Sequence, residues 1–178
     1  MLFNHTDETF NQKGFKLTSE FFFVFYEIKK NLSLYALRFS MKIYFAGSIR
    51  GGRHYADSYL EIIKHLEKYG EVLTEHVGDK NLAVDGEKQS DKYIHDRDLK
   101  WVNDADVIIA EVSTPSLGVG YEIGKVEGEK HVLCLYKQQK GKKLSAMIAG
   151  STFISNKIYH STKEAKNIID EFFNGLIL

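Results

Sequence analysis

Val107-Ile-Ile-Ala-Glu-Val112 is apolar at successive positions, not alternate ones. A strand of that kind is buried on both faces, so its sheet must carry helices on either side. Upstream, Lys42 to Ala46 reads as a short apolar strand ending at Gly47. Residues 54–69 then place Tyr55, Tyr59, Ile62, Ile63 and Leu66 at helical spacing before Gly70 stops them. Glu71 to Glu75 reads as a second strand, followed by a polar stretch from His76 to Ser90. Ser90 or Asp91 can cap a helix running to about Asn103, with Ile94, Leu99 and Val102 inward. Downstream of the opening stretch come a loop from Ser113 to Gly118, a helix over roughly 119–129, a fourth strand from His131 to Tyr136, a weaker fifth from Phe153 to Tyr159, and a closing helix over 162–174.

Strands separated by helices of ten or more residues demand right-handed crossovers and an open parallel sheet. The expected fold is α/β, a doubly wound five-stranded parallel sheet of the flavodoxin-like or Rossmann-like class, in order 2-1-3-4-5. Ligands bind such sheets beyond the carboxyl ends of strands 1 and 3, where the winding reverses. Both glycine-rich loops of the chain follow those two strands.

A chain of 178 residues fits one domain, and 43% hydrophobic with 27% charged residues is a globular composition. Twenty-four Lys and Arg balance 24 Asp and Glu, which excludes a general electrostatic attraction to nucleic acid or an anionic membrane. Phosphate binding must then come from local geometry. Cys134, the single cysteine, lies in an apolar run and reads as an inert core thiol. Eight of the twelve Phe lie in residues 1–40, whereas thirteen of the fourteen Gly follow; residues 1–40 are therefore expected to be a poorly ordered or loosely helical appendage to a domain spanning 41–178. The burst from Phe21 to Tyr26 is shorter than the roughly 20 apolar residues of a membrane span, and Asp7, Glu8 and Glu20 ahead of it argue against a secretory or transit signal. The expected location is the cytoplasm, with the nucleus as a second compartment.

The first loop, Gly47-Ser-Ile-Arg-Gly-Gly-Arg53, lets the backbone approach a ligand and turns amides inward. Ser48 adds a hydroxyl, Arg50 and Arg53 can fork onto phosphate oxygens, and a helix N-terminus follows. It lacks the Lys-Ser/Thr pair of a triphosphate loop, so a monophosphate fits better. A tight turn with two solvated arginines fits the same residues. In the second loop, Ser113 to Gly124, the glycines miss the dinucleotide spacing and no hydride-transfer cofactor is implied. Ser116 and backbone amides stand at a helix N-terminus, with Glu122 one turn inside; the helix dipole there should keep its carboxylate ionised, as a nucleophile requires. Taken alone, Glu122 reads more readily as an ordinary first-turn glutamate stabilising its helix. Asp98, four residues after Ile94 and three before Trp101, should point inward more than Asp96. Paired with Glu122 it would flank a glycosidic carbon; alone, it also fits a surface acid paired with a basic neighbour. His76 and His95 lack a third ligand at a sensible spacing, and no metal is expected.

Ile43-Tyr-Phe-Ala-Gly-Ser-Ile-Arg-Gly-Gly-Arg53, Val72-Leu-Thr-Glu-His-Val77, Ile94-His-Asp-Arg-Asp-Leu-Lys-Trp101, Ala105-Asp-Val-Ile-Ile-Ala-Glu-Val112, Pro115-Ser-Leu-Gly-Val-Gly-Tyr-Glu-Ile-Gly124 and Leu144-Ser-Ala-Met-Ile148 together resemble the 2'-deoxynucleoside 5'-phosphate N-hydrolases, relatives of the nucleoside 2-deoxyribosyltransferases. The resemblance covers residues 42–175. It implies Glu122 as the nucleophile that forms a deoxyribosyl ester, Asp98 as the second acid, and Tyr44 as the hydroxyl that orients the nucleophile. Ser48, Ile49, Arg50, Gly51, Ser116 and Gly118 match the 5'-phosphate site. It also implies a homodimer in which Ser145 and Met147 reach the neighbouring subunit's site, with no cofactor. The stretch from His76 to Asp91, which borders the base in the family, is shorter here. A deoxyribosyltransferase and a catalytically silent nucleotide-binding module are the alternatives.

Overall fold

The computed structural model describes residues 41–177 apart from 80, 84 and 85, together with residues 23, 24, 26, 28 and 29, which are helical. The expectation of a poorly ordered or loosely helical appendage over 1–40 falls, but for those five, on residues outside the described ones. Two units divide the chain, Met1–Leu34 and Tyr35–Leu178, and the second carries the sheet.

Five parallel strands, β1 (Lys42–Gly47), β2 (Glu71–Val72), β3 (Val107–Glu111), β4 (His131–Lys137) and β5 (Ile154–Tyr159), lie in the order β2-β1-β3-β4-β5. This is the doubly wound α/β sheet expected. All five residues of β3 are buried, as a central strand covered on both sides requires. Its register against β1 runs from Ile43 opposite Val107 to Gly47 opposite Glu111, so both glycine-rich loops leave the sheet at the same level.

Alternation along the strands sorts the core into two layers. Ile43, Phe45, Val107, Ile109, Leu133 and Leu135 pack against helices α1 (Ala56–Leu66) and α5 (Thr162–Ile177). Tyr44, Ala46, Ile108, Ala110 and Cys134 face α2 (Asp91–Asp104) and α3 (Leu117–Val126). Cys134 is buried, and burial pushes its thiol up to about 12, consistent with an inert core residue.

The second strand is shorter than expected, two residues in place of five. After the Leu73 amide bonds to Ile43, the Thr74 hydroxyl accepts from the Phe45 amide at 2.9 Å and donates to the Phe45 carbonyl at 2.8 Å. A side chain thus takes the next ladder position, and the backbone turns into a 3₁₀ segment at Glu75–Gly78. Helix α3 begins and ends earlier than expected, capped by Ser116, whose hydroxyl accepts from the Val119 amide. Residues 146–149 add a single helical turn, α4, that the sequence does not announce.

Candidate active site

The first loop turns between Ile49 and Gly52, closed by a 3.1 Å bond from the Gly52 amide to the Ile49 carbonyl. Gly52 has φ +117°, where a side chain would be strained. Gly51 is needed for a different reason. A Cβ there would stand 2.7 Å from both the Pro115 carbonyl oxygen and Ser48 Oγ, so the two glycine-rich loops touch at this point. Between them opens a pocket of about 530 Å³, the size of a small-molecule site. Ile49, Arg50, Gly51, Ser116 and Gly118 line it, together with Asp98 and Glu122.

Arg50 holds the carboxylate of Asp91 at 2.9 Å, with both side chains more than half exposed. Exposed pairs of this kind contribute about 0–1 kcal/mol, and a phosphate dianion in the pocket can compete for the guanidinium. Arg53 does not serve the pocket. Its Nη2 donates to the carbonyls of Val77 (3.2 Å) and Asp79 (2.7 Å), fastening the 3₁₀ segment to the loop. Ser48 is fully buried and lies behind the loop, not on the pocket wall. The sequence reading gave both residues a part in phosphate contact; Arg53 is turned to these carbonyls, and the buried Ser48 hydroxyl has no hydrogen-bond partner among the described residues.

Tyr44 comes from β1 beneath the pocket, and its hydroxyl hydrogen-bonds the Glu122 carboxyl of α3. Burial and the neighbouring acids push the Tyr44 phenol far up, so it remains a donor. Glu122 is itself raised to about 7: burial is the main cause, the charge of Asp98 adds to it, and the Tyr44 hydrogen bond opposes it. The expectation that the helix N-terminus would keep Glu122 ionised is therefore corrected. Glu122 sits one turn into α3 with its carboxyl largely withdrawn from water, and desolvation outweighs the favourable dipole.

Asp98 points inward, with 21% of its side chain exposed against 55% for Asp96, as the helical spacing predicts. Burial raises its pKa, while Arg97 pulls the other way. Arg97 donates to Asp98 Oδ1 from Nε (2.9 Å) and Nη2 (2.7 Å), and to the Glu87 carboxylate at 2.5 and 2.6 Å. Its guanidinium lies over the Trp101 ring, 4.6 Å from the centroid. Arg97 and Glu87 were not singled out from the sequence. Arg97 adjoins Asp98 and could have been; Glu87 lies in a polar stretch with no periodicity to mark it.

His76 sits 3.3 Å from Glu87, and His95, exposed, pairs with Asp96 at 3.1 Å. Among the described residues no group of three or more His, Cys, Asp or Glu is placed to hold a metal. Ser145 and Met147 do not reach this chain's pocket. They line a neighbouring groove of about 670 Å³ that shares Ser116, Leu117 and Val119 with it.

Comparison with known proteins gives the family and the fold. The family described as nucleoside 2-deoxyribosyltransferase matches residues 43–168. A 5-hydroxymethyl-dUMP N-hydrolase of Mus musculus is 53% identical over 140 residues, 76% of this chain and 81% of that protein. Its namesake from Esox lucius is 48% identical over 144 residues, 76% of this chain and 98% of that protein. Among solved structures, a CMP N-glycosidase of Clostridium botulinum superposes with a TM-score of 0.54 at 19% identity, covering 74% of this chain and 98% of that one; at that identity the likeness speaks for the fold alone.

Proposed function

This chain belongs to the nucleoside 2-deoxyribosyltransferase family, and from that premise we propose that it hydrolyses the N-glycosidic bond of 2'-deoxynucleoside 5'-monophosphates to free base and 2-deoxyribose 5-phosphate. The observation that carries the reading is the Glu122 carboxyl, beside Tyr44 and Asp98, in a pocket that the Arg50 loop and the N-terminus of α3 also line. The names of the relatives make 5-hydroxymethyl-dUMP the first substrate to try.

A phosphate held by Arg50, the loop amides and Ser116 anchors the sugar with its C1' over Glu122. Ser116 caps α3 by accepting, so its hydroxyl hydrogen remains able to donate to an anion. Ionised Glu122 attacks C1' as the C1'–N bond breaks, and the departing base takes a proton from Asp98. Water then attacks C1', Asp98 recovers a proton from it, and the ester bond breaks to restore the Glu122 carboxylate. The charge of Asp98 helps raise Glu122 to about 7, so the nucleophile gains and loses its proton close to neutrality. Lacking the electron-withdrawing 2'-hydroxyl, a deoxyribosyl centre passes through the cationic transition state more easily than a ribosyl one. Binding energy spent at the remote phosphate positions the reacting carbon.

A homodimer belongs to this reading. Leu117 and Met147 are 95% and 84% exposed beside the shared groove, and a second copy covering that face would bring Ser145 and Met147 near the phosphate end of its neighbour's pocket.

The test is base release from the four deoxynucleoside monophosphates and 5-hydroxymethyl-dUMP, with ribonucleotides and unphosphorylated deoxynucleosides as controls. Turnover confined to the phosphorylated deoxy substrates is expected; equal turnover of ribonucleotides overturns the sugar assignment. The family's printed description keeps sugar transfer as a second reading, and formation of a new nucleotide when a free base is added would select it.

A further inference from the structure

Glu111, the last residue of β3, takes no part in the chemistry above although it is fully buried. It stands opposite Gly47 in the sheet register, at the root of both glycine-rich loops. By strand alternation it shares the α1–α5 face with Val107 and Ile109, away from Tyr44 and Glu122. Its Oε1 accepts from the Ser113 amide at 3.3 Å, from the Ser113 hydroxyl, and from the Tyr159 hydroxyl at 3.1 Å. The Ser113 hydroxyl in turn accepts from the Lys137 amide at 2.6 Å, fixing the start of the second loop to β4. On the other side, the Tyr59 hydroxyl of α1, the Ser48 hydroxyl of the first loop and Glu111 Oε2 are buried with no hydrogen-bond partner among the described residues.

We infer that Glu111 is a positioning residue for the phosphate end of the site: its buried carboxyl fastens the root of the second loop, through Ser113, to Tyr159 of β5, level with Gly47 where the first loop leaves the sheet. The inference rests on the phosphate-binding reading above. The physical argument is one of tolerance. The loops meet with no spare room at Gly51 and Pro115, so amides from both sides converge on an anion only if their roots keep a fixed separation. A carboxyl with three donors at one oxygen holds the second root, beside the first in the β1–β3 register, more rigidly than apolar packing would, much as outer groups fix the ligands of a metal. A buried acid is costly in itself, and nothing in the sheet's packing calls for one at this position. Because Glu111 lies on the far side of the sheet from the reacting groups, its loss should weaken the phosphate grip while sparing the chemistry.

The experiment compares the full-length protein with Glu111→Gln, which keeps the shape and removes the anionic form. Calorimetric titration with dUMP and with 2'-deoxyuridine, in a Glu122→Ala background that prevents turnover, reads the phosphate contribution directly. The expected result is dUMP binding weakened about tenfold, with deoxyuridine binding within twofold of the parent. In the catalytically intact protein, KM for 5-hydroxymethyl-dUMP should rise about tenfold with kcat within threefold. Equal weakening of both ligands would reduce Glu111 to a folding role, and no change in either would remove it from the site; either outcome overturns the inference. If Glu111→Gln does not fold by circular dichroism, Tyr159→Phe, which withdraws one donor, decides by the same split at smaller size. A parent protein that releases no base and does not prefer dUMP to deoxyuridine instead defeats the proposed function, which keeps the two failures distinct.

Discussion

Glu111 and Glu122 are both acids that burial pushes above the ordinary carboxylate range, yet their surroundings differ in kind. Glu111 is enclosed, with Ser113 and Tyr159 donating to it. Glu122 lines an open pocket, has one donor in Tyr44, and faces a second acid. Burial alone therefore does not mark a nucleophile. A reacting carboxylate needs access to ligand, an oxygen left available, and a neighbour that can exchange a proton, and only Glu122 has all three.

The largest effect expected separates the two acids outright: Glu122→Gln should reduce base release by at least about 10³-fold while leaving monophosphate binding largely intact. The same substitution should stabilise the fold above neutrality. Ionisation of Glu122 costs the folded state because its folded pKa of about 7 lies above the usual 4.5, so its contribution to stability is lost as pH rises from 4.5 through 7. Replacement by a neutral amide should recover as much as about 3 kcal/mol at pH 8, by denaturant unfolding. Asp98→Asn comes next, with a loss of about 10²-fold in kcat, smaller for substrates whose base leaves readily, because a proton donor matters less there. Gly51→Ala should raise KM about tenfold with kcat little changed, since the added methyl drives the loops apart at a backbone carbonyl that cannot move cheaply. Smallest is Tyr44→Phe, a few-fold loss of rate. Its signature is the pH profile: kcat/KM for the parent rises as Glu122 ionises near pH 7, and losing the Tyr44 hydrogen bond, which favours the anion, should move that limb to higher pH.

Where the sequence succeeded and where it fell short follows from the range of the forces involved. Strand β3 was legible because two-sided burial writes itself into consecutive residues. The inward turn of Asp98 was legible because helical spacing is local. The end of β2 was not, since it depends on Thr74 meeting the backbone of Phe45, 29 positions away. Arg53 looked like a phosphate ligand and is a brace for carbonyls of Val77 and Asp79; a charged side chain beside a glycine loop carries no mark of which way it turns.

By itself, the amino-acid order determined the parallel sheet, its winding, and the meeting of two glycine-rich loops at the point where that winding reverses, because hydrophobic periodicity and crossover handedness act through near neighbours. Only the tertiary structure decided the raised pKa of Glu122, the turning of Arg53 to the carbonyls of Val77 and Asp79, and the burial of Glu111 behind the loops. Those depend on how much water each group loses and which distant partner replaces it, and desolvation is a property of the assembled core that no stretch of sequence carries alone.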